Sequence, residues 1–265
     1  MSNLRICRVI CGVCVAIWGM LPQAVFAACS LVWSPSNLDL ANGGWFSGNV
    51  YVGGQDRISY DPEADAIAIA QVKGVPKQLS EHRPHAPWIK GNSARLSVDL
   101  YVSPDFIPNK MSRLGIGLRG GAVAIAKKIS GGATVDIQDG WSFRINHDDK
   151  FRLYAYAYNL NRASKFGGGP LLKSSLPQGQ WMTIELGVTL NSPGLEDGNA
   201  TLSVTDEAGV VQDALTMQNL VWRRSADWDS FGVILTDMIK LPPTQDQNIL
   251  YRNFELRVGD AKTCS

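Results

Sequence analysis

The 265-residue chain carries 25 Lys and Arg against 24 Asp and Glu, a formal net charge of +1, with 45% hydrophobic and 18% charged residues. That balance excludes an electrostatically driven nucleic-acid binder, and the apolar content excludes a disordered chain. Beyond residue 27 no apolar run approaches the ~18 residues a membrane helix needs, which leaves a globular protein able to bury one sizeable core.

Arg5 and Arg8 form a short basic start, Val9 to Leu21 an apolar stretch, and Pro22 to Ala27 the small or tolerated residues that a signal peptidase reads. This predicts a secretory signal peptide over 1–27, hence a secreted or periplasmic protein with no integral membrane segment in its mature chain. Losing Arg5 and Arg8 leaves 23 basic against 24 acidic residues, close to neutral. Cys7, Cys11 and Cys14 go with the leader; Cys29 and Cys264 remain, near the two ends. An even pair in an exported protein is most simply a disulfide. Closing so long a loop stabilises by on the order of 5 kcal/mol. The competing reading makes Cys29 the acylated first residue of a lipoprotein, but Phe26 fits that poorly and Cys264 would be left single.

Along the mature chain, period-2 alternation recurs and helical periodicity does not. The spacing predicts a strand over 66–72, then a long exposed loop over 73–92 with three prolines. Arg95 to Val102 alternates cleanly. Further strands are expected over 114–118, 122–127, 141–147 and 151–159, then at Met182, Ile184, Leu186, Val188 and Leu190, then over 200–205 and 231–236. Leu250, Phe254, Leu256 and Val258 form the last, interrupted by Arg252. Turn signals separate them, among them Gly120-Gly121, Asp139-Gly140, Asp148-Asp149 and Glu196-Asp197-Gly198. Many short strands without intervening helices predict one all-β domain over 28–265, a jelly roll or concanavalin-like sandwich of two antiparallel sheets.

The most informative stretch is 140–158, which reads as a hairpin turning at His147 to Lys150. Ser142, Arg144 and Asn146 share one face of its first strand. Arg152, Tyr154, Tyr156 and Tyr158 share one face of the second, with Phe151, Leu153, Ala155 and Ala157 on the other. Guanidinium groups bind carboxylates bidentately, and a phenol both donates and accepts. Such a face suits an acidic sugar chain. A solvated strand with tyrosines chosen for β propensity fits the pattern about equally well.

The order of several short motifs resembles the polysaccharide lyase 14 family. They are Leu118-Arg119-Gly120-Gly121, Gly140 to Arg144, Tyr156-Ala157-Tyr158, Gly179-Gln180-Trp181, Leu190-Asn191 and Asp197-Gly198, spread over roughly 95–237. The resemblance implies a β-jelly roll that cleaves uronate polysaccharides of the alginate or glucuronan type by β-elimination. It implies Arg144 as the strand arginine and Tyr156 and Tyr158 as the paired catalytic tyrosines. The family's catalytic lysine has no counterpart: Arg113 is the nearest cation, with Lys110 three residues earlier.

β-Elimination removes the C5 proton beside the uronate carboxyl and expels the 4-linked sugar. A cation must stabilise the enolate-like intermediate, while a base and an acid move the two protons. The candidate catalytic residues are therefore Tyr156, Tyr158, Arg144 and Arg113. Arg119, Asn146, Arg152, Tyr154 and His147 are candidate substrate-binding residues, with Arg119 expected in a glycine-rich turn that reaches either substrate or solvent and His147 at a turn expected to be solvated. The reaction needs no metal and no cofactor. His82 and His85 lack the partners of a metal site, no Gly-x-Ser-x-Gly is present, and none of Asp99, Glu185 or Glu255 stands out as half of a glycosidase pair. The expected partner is an acidic polysaccharide and the expected state a monomer. The alternative is a lectin-like jelly roll that binds carbohydrate without cleaving it.

Overall fold

The computed structural model describes residues 29–41, 57–75, 78–82, 89–109, 112–121, 140–163, 166–239, 241–260 and 264. The expected signal peptide, the strand expected over 122–127, Lys110 and His85 lie outside them.

Two antiparallel sheets face each other. The first has eight strands: β1 (Ser30–Trp33), β2 (Ile58–Asp61), β3 (Ala66–Gln71), β6 (Ser93–Val102), β11 (Met182–Thr189), β12 (Gly198–Asp206), β13 (Val211–Leu220) and β15 (Gln247–Gly259). Their order is β13-β12-β11-β6-β15-β3-β2, with β1 added on β15. The second has seven: β4 (Gln78–His82), β5 (Ile89–Lys90), β7 (Ser112–Gly121), β8 (Gly140–His147), β9 (Arg152–Tyr158), β10 (Leu171–Ser175) and β14 (Ser230–Ile239). Their order is β10-β9-β8-β7-β14-β4, with β5 also on β14. Among the described residues one short helix, α1 (Asn37–Ala41), starts at Ser36, whose hydroxyl accepts from the Asp39 amide at 3.1 Å. This is the β-jelly roll expected from the alternation.

The core follows from that alternation. In β6, Leu96, Val98, Leu100 and Val102 point inward while Arg95, Ser97 and Asp99 point out. Across the interior, β7 contributes Leu114, Ile116 and Leu118, β8 Trp141, Phe143 and Ile145, β9 Leu153, Ala155 and Ala157, and β14 Phe231, Val233 and Leu235. Trp141 packs against Trp222 at 5.2 Å and Phe231 at 5.5 Å. Cys29 and Cys264 are joined, tying the two ends of the domain across 235 positions.

Two expectations change. The loop over 73–92 contains strand: β4 and β5 both pair with β14, so part of this segment extends the second sheet. In β15 the core positions are Ile249 and Tyr251, then Phe254, Leu256 and Val258. A bulge between Arg252 and Glu255, with Asn253 at φ 55°, shifts the alternation by one residue. This explains why Leu250 falls off the core face and why Arg252 broke the pattern.

Candidate functional site

β8 is buried along its entire length, although half of its residues are polar. Trp141, Phe143 and Ile145 fill the core. Ser142, Arg144 and Asn146 are buried on the opposite face, away from the first sheet. Burying a charge and an amide on a sheet face is costly unless surrounding groups answer them, so this face is where polar chemistry is built.

The register assembles it. Asn146 lies opposite Tyr154, Arg144 opposite Tyr156, and Ser142 opposite Tyr158. On the other side of β8, Gly117 lies opposite Arg144, Arg119 opposite Ser142, and Arg113 opposite Asn146. Because Leu114, Ile116 and Leu118 point into the core, Gly117 and Arg119 share the polar face. The structure thus brings Arg119, Arg144, Asn146, Tyr154, Tyr156 and Tyr158 onto one surface spanning three strands. The Arg113 side chain lies outside the described residues.

Gly117 makes room for Arg144. A Cβ there would stand 2.5 Å from the Phe143 carbonyl oxygen and 2.8 Å from Arg144 Cγ. The Arg144 side chain therefore lies over bare backbone. Its Nε donates to Ser142 Oγ at 3.3 Å, and its guanidinium carbon is 5.9 Å from the centre of the Tyr158 ring.

The three tyrosines form an edge-to-face ladder. Tyr154 and Tyr156 are 6.3 Å apart at 76°, Tyr156 and Tyr158 5.2 Å apart at 78°. The Tyr156 and Tyr158 hydroxyls are 3.2 Å apart, within hydrogen-bond distance. Asn146 Nδ2 donates to the Tyr154 hydroxyl at 3.1 Å, while Asn146 Oδ1 is buried with no hydrogen-bond partner among the described residues. The two motif tyrosines are not equivalent: Tyr158 is 1% exposed, whereas Tyr156 is half-buried. Of this pair, Tyr156 is therefore the more accessible phenol and Tyr158 its interior partner.

Two candidates sit differently from the sequence reading, and a third, Arg152, keeps its expected face but is engaged within the hairpin. Arg119 lies on β7 at 6% exposure, not in a turn. The glycines beside it serve packing: a Cβ on Gly120 would stand 2.3 Å from the Trp141 ring. His147 is not solvated. It is 1% exposed, packs edge-on against Phe151 at 5.3 Å, and its Nδ1 is 2.9 Å from the Asp148 carbonyl oxygen. Strand alternation puts it on the core side, facing away from Arg144. Burial holds its pKa below the ordinary histidine value, against the opposing pull of the Asp148 carbonyl and carboxylate. Arg152 is tied down by Asp148, which accepts its Nε at 2.9 Å and its Nη2 at 2.6 Å within the hairpin turn.

Arg162, in the turn after β9, had no signature in the sequence. Its guanidinium carbon is 5.3 Å from the Tyr158 ring centre, so that ring has a guanidinium group from each of two segments close by. The turn is anchored: Arg162 Nη1 donates to the Asn159 carbonyl at 2.9 Å, Asn161 Nδ2 to the Asn219 carbonyl at 2.9 Å, and the Leu160 amide to the Val221 carbonyl at 2.7 Å.

The carboxylates that a glycosidase pair would need lie on the outer face of the other sheet, each beside a cation. Arg95 meets Glu185 at 2.7 Å, Arg257 meets Glu255 at 3.0 Å, and Arg252 lies 3.6 Å from Asp99. A groove of about 500 Å³ on that face includes Asp99, Thr183, Arg252 and Trp181. The Trp181 ring packs against Arg252 at 3.9 Å and Tyr101 at 5.4 Å, at the margin of the sheet. Among the described residues no cluster of three or more His, Cys, Asp or Glu side chains is placed to hold a metal ion.

No family pattern and no curated protein sequence matches the chain. Solved structures share its jelly roll. The PL-14 alginate lyase from Aplysia kurodai superposes with a TM-score of 0.70 at 20% identity, over 86% of this chain and 98% of that one. Alginate lyase vAL-1 from a Chlorella virus gives 0.59 at 16%, over 86% and 100%. The endo-β-1,4-glucuronan lyase from the fungus Trichoderma reesei gives 0.57 at 12%, over 86% and 96%. The fold is that of these polysaccharide lyases.

Proposed function

We propose that this chain is a secreted polysaccharide lyase that cleaves a uronate-containing polysaccharide by β-elimination. The observation that carries the reading is the convergence of Arg144, Arg119 and the Tyr156–Tyr158 hydroxyl pair on one sheet face. The shared fold adds to it, since solved proteins of this architecture include alginate and glucuronan lyases.

The chemistry follows from positions. A uronate lying across β7, β8 and β9 has its carboxylate over the positive charge of Arg144 and Arg119, buried charges that water screens little. That field lowers the energy of the enolate-like intermediate formed when C5 loses its proton. Tyr156, the more accessible phenol, takes the proton as base. The C5–H electron pair then forms the C4=C5 double bond while the C4–O4 bond breaks. The proton that Tyr156 took returns to O4 of the leaving sugar, so one phenol completes both transfers. A tyrosine acts as a base near neutral pH only if cations stabilise its phenolate, and Arg144 stands directly across the ladder from it.

Arg113, in place of the family's lysine, favours a second reading in which the face binds uronate without cleaving it. Incubation with alginate, polymannuronate, polyguluronate and glucuronan separates the two. The lyase reading expects ultraviolet absorbance from an unsaturated uronate end with at least one polymer. Saturable binding with no such product establishes the lectin-like reading instead.

A further inference from the structure

We propose that Arg162, acting through the Tyr158 ring, sets the acidity of the Tyr156–Tyr158 hydroxyl pair and with it the pH range over which Tyr156 serves as a base. The inference rests on Tyr156 being the reacting group; Arg162 is then a positioning residue.

Tyr158 is almost wholly buried, and burial alone disfavours a phenolate. Two guanidinium groups oppose that penalty: Arg144 from β8 at 5.9 Å and Arg162 from the turn after β9 at 5.3 Å from the ring centre. A cation near the electron-rich ring favours the form carrying more negative charge, and a phenolate spreads its charge into the ring. Even before ionisation, the same field makes the Tyr158 hydroxyl a stronger hydrogen-bond donor. That hydroxyl is 3.2 Å from Tyr156, so it stabilises a phenolate there. Two oxygens in such contact lose their first proton as a pair. Among the described residues, the other charged or titratable groups on this face include Tyr154 and Arg152 on β9, Arg119 on β7 beyond Ser142, and Lys173 on the neighbouring β10. Arg162 is held in place by an anchored turn, so its charge is fixed before substrate arrives.

The test uses the full mature chain and two readouts. Ultraviolet difference titration follows ionisation of the seven tyrosines. The pH profile of kcat/KM follows elimination. In the wild type one phenol ionises well below the others. Arg162→Gln, which keeps a donor for the Asn159 carbonyl, moves that ionisation and the basic limb upward by about one pH unit. It lowers kcat/KM at neutral pH roughly tenfold, with recovery at higher pH. Arg162→Lys restores most of the loss. In a Tyr158→Phe background, Arg162→Gln produces no further shift in the Tyr156 titration. An unshifted titration in Arg162→Gln overturns the inference, as does an equal shift with and without the Tyr158 hydroxyl. If Arg162→Gln does not fold, a wild type whose tyrosines all ionise in the ordinary range overturns it. If no polymer is cleaved, the titration still reads the pair, so failure of the lyase reading and failure of the Arg162 inference are distinguishable.

Discussion

Arg144 stands directly opposite Tyr156 in the β8–β9 ladder, and its guanidinium reaches sideways to the ring of Tyr158 at 5.9 Å. One buried cation thus stands at the register position of the accessible phenol and beside the ring of its interior partner. Replacing Arg144 with Leu removes the charge that serves both the substrate carboxylate and the phenol pair. We expect kcat/KM to fall by about 10² or more, measured as the initial rate of unsaturated-product formation. Arg144→Lys recovers only part, because a point charge does not reproduce a planar fork.

Gly117 gives Arg144 its path. The Cβ of Gly117→Ala collides with the Phe143 carbonyl and with Arg144 Cγ, and backbone cannot move aside. The expected cost is about 1–3 kcal/mol of stability, with a larger proportional loss in kcat than in thermal midpoint. Paired melting curves and rate measurements check it. Unchanged kcat would mean that Arg144 does not depend on this path.

Asn191 ties the β11–β12 loop to the segment that follows β13. Its Nδ2 donates to the carbonyls of Ser192, Leu195 and Arg223, each at 3.0 Å, and its Oδ1 accepts the amides of Trp222 at 2.8 Å and Arg223 at 2.9 Å. Asn191→Ala leaves several buried backbone groups unanswered, at about 1–3 kcal/mol each before relaxation. A loss of about 3 kcal/mol in urea unfolding is expected. A loss under ~0.5 kcal/mol would place Asn191 among ordinary surface positions.

His147 makes stability depend on acid. Its folded pKa is depressed by burial, so the native state keeps it neutral while the unfolded chain takes up a proton below about 6.5. The stability it contributes is complete above that value. It declines as pH falls from about 6.5 toward the lower folded pKa. Unfolding free energies measured from pH 7 downward should therefore drop less steeply in His147→Phe than in the wild type. Identical slopes would contradict the burial argument.

The hairpin was the legible part of the site, because period-2 alternation states directly which side chains share a face. That rule alone groups Arg144, Asn146 and the three tyrosines. It failed where small residues serve packing. Gly120-Gly121 reads as turn punctuation beside Arg119, yet both lie within β7, where the Trp141 side chain crosses Gly120. It failed again at His147, whose polar neighbours Asp148 to Lys150 suggested solvent while its own ring closes the core beside Phe151. The inequality between Tyr156 and Tyr158 was invisible to it, since burial depends on neighbouring segments, not on spacing. Arg162 lies outside any strand, and only the folded turn reveals its closeness to Tyr158. β13, an exposed edge strand without a clean apolar alternation, offered no signal either.

The most direct test measures turnover and binding together for the wild type and Tyr156→Phe, on whichever of the four uronate polymers the wild type cleaves. The account predicts that removing this single oxygen abolishes unsaturated product while polymer affinity, read by calorimetry, changes only a few-fold. A Tyr156→Phe protein that still eliminates at a comparable rate would contradict it.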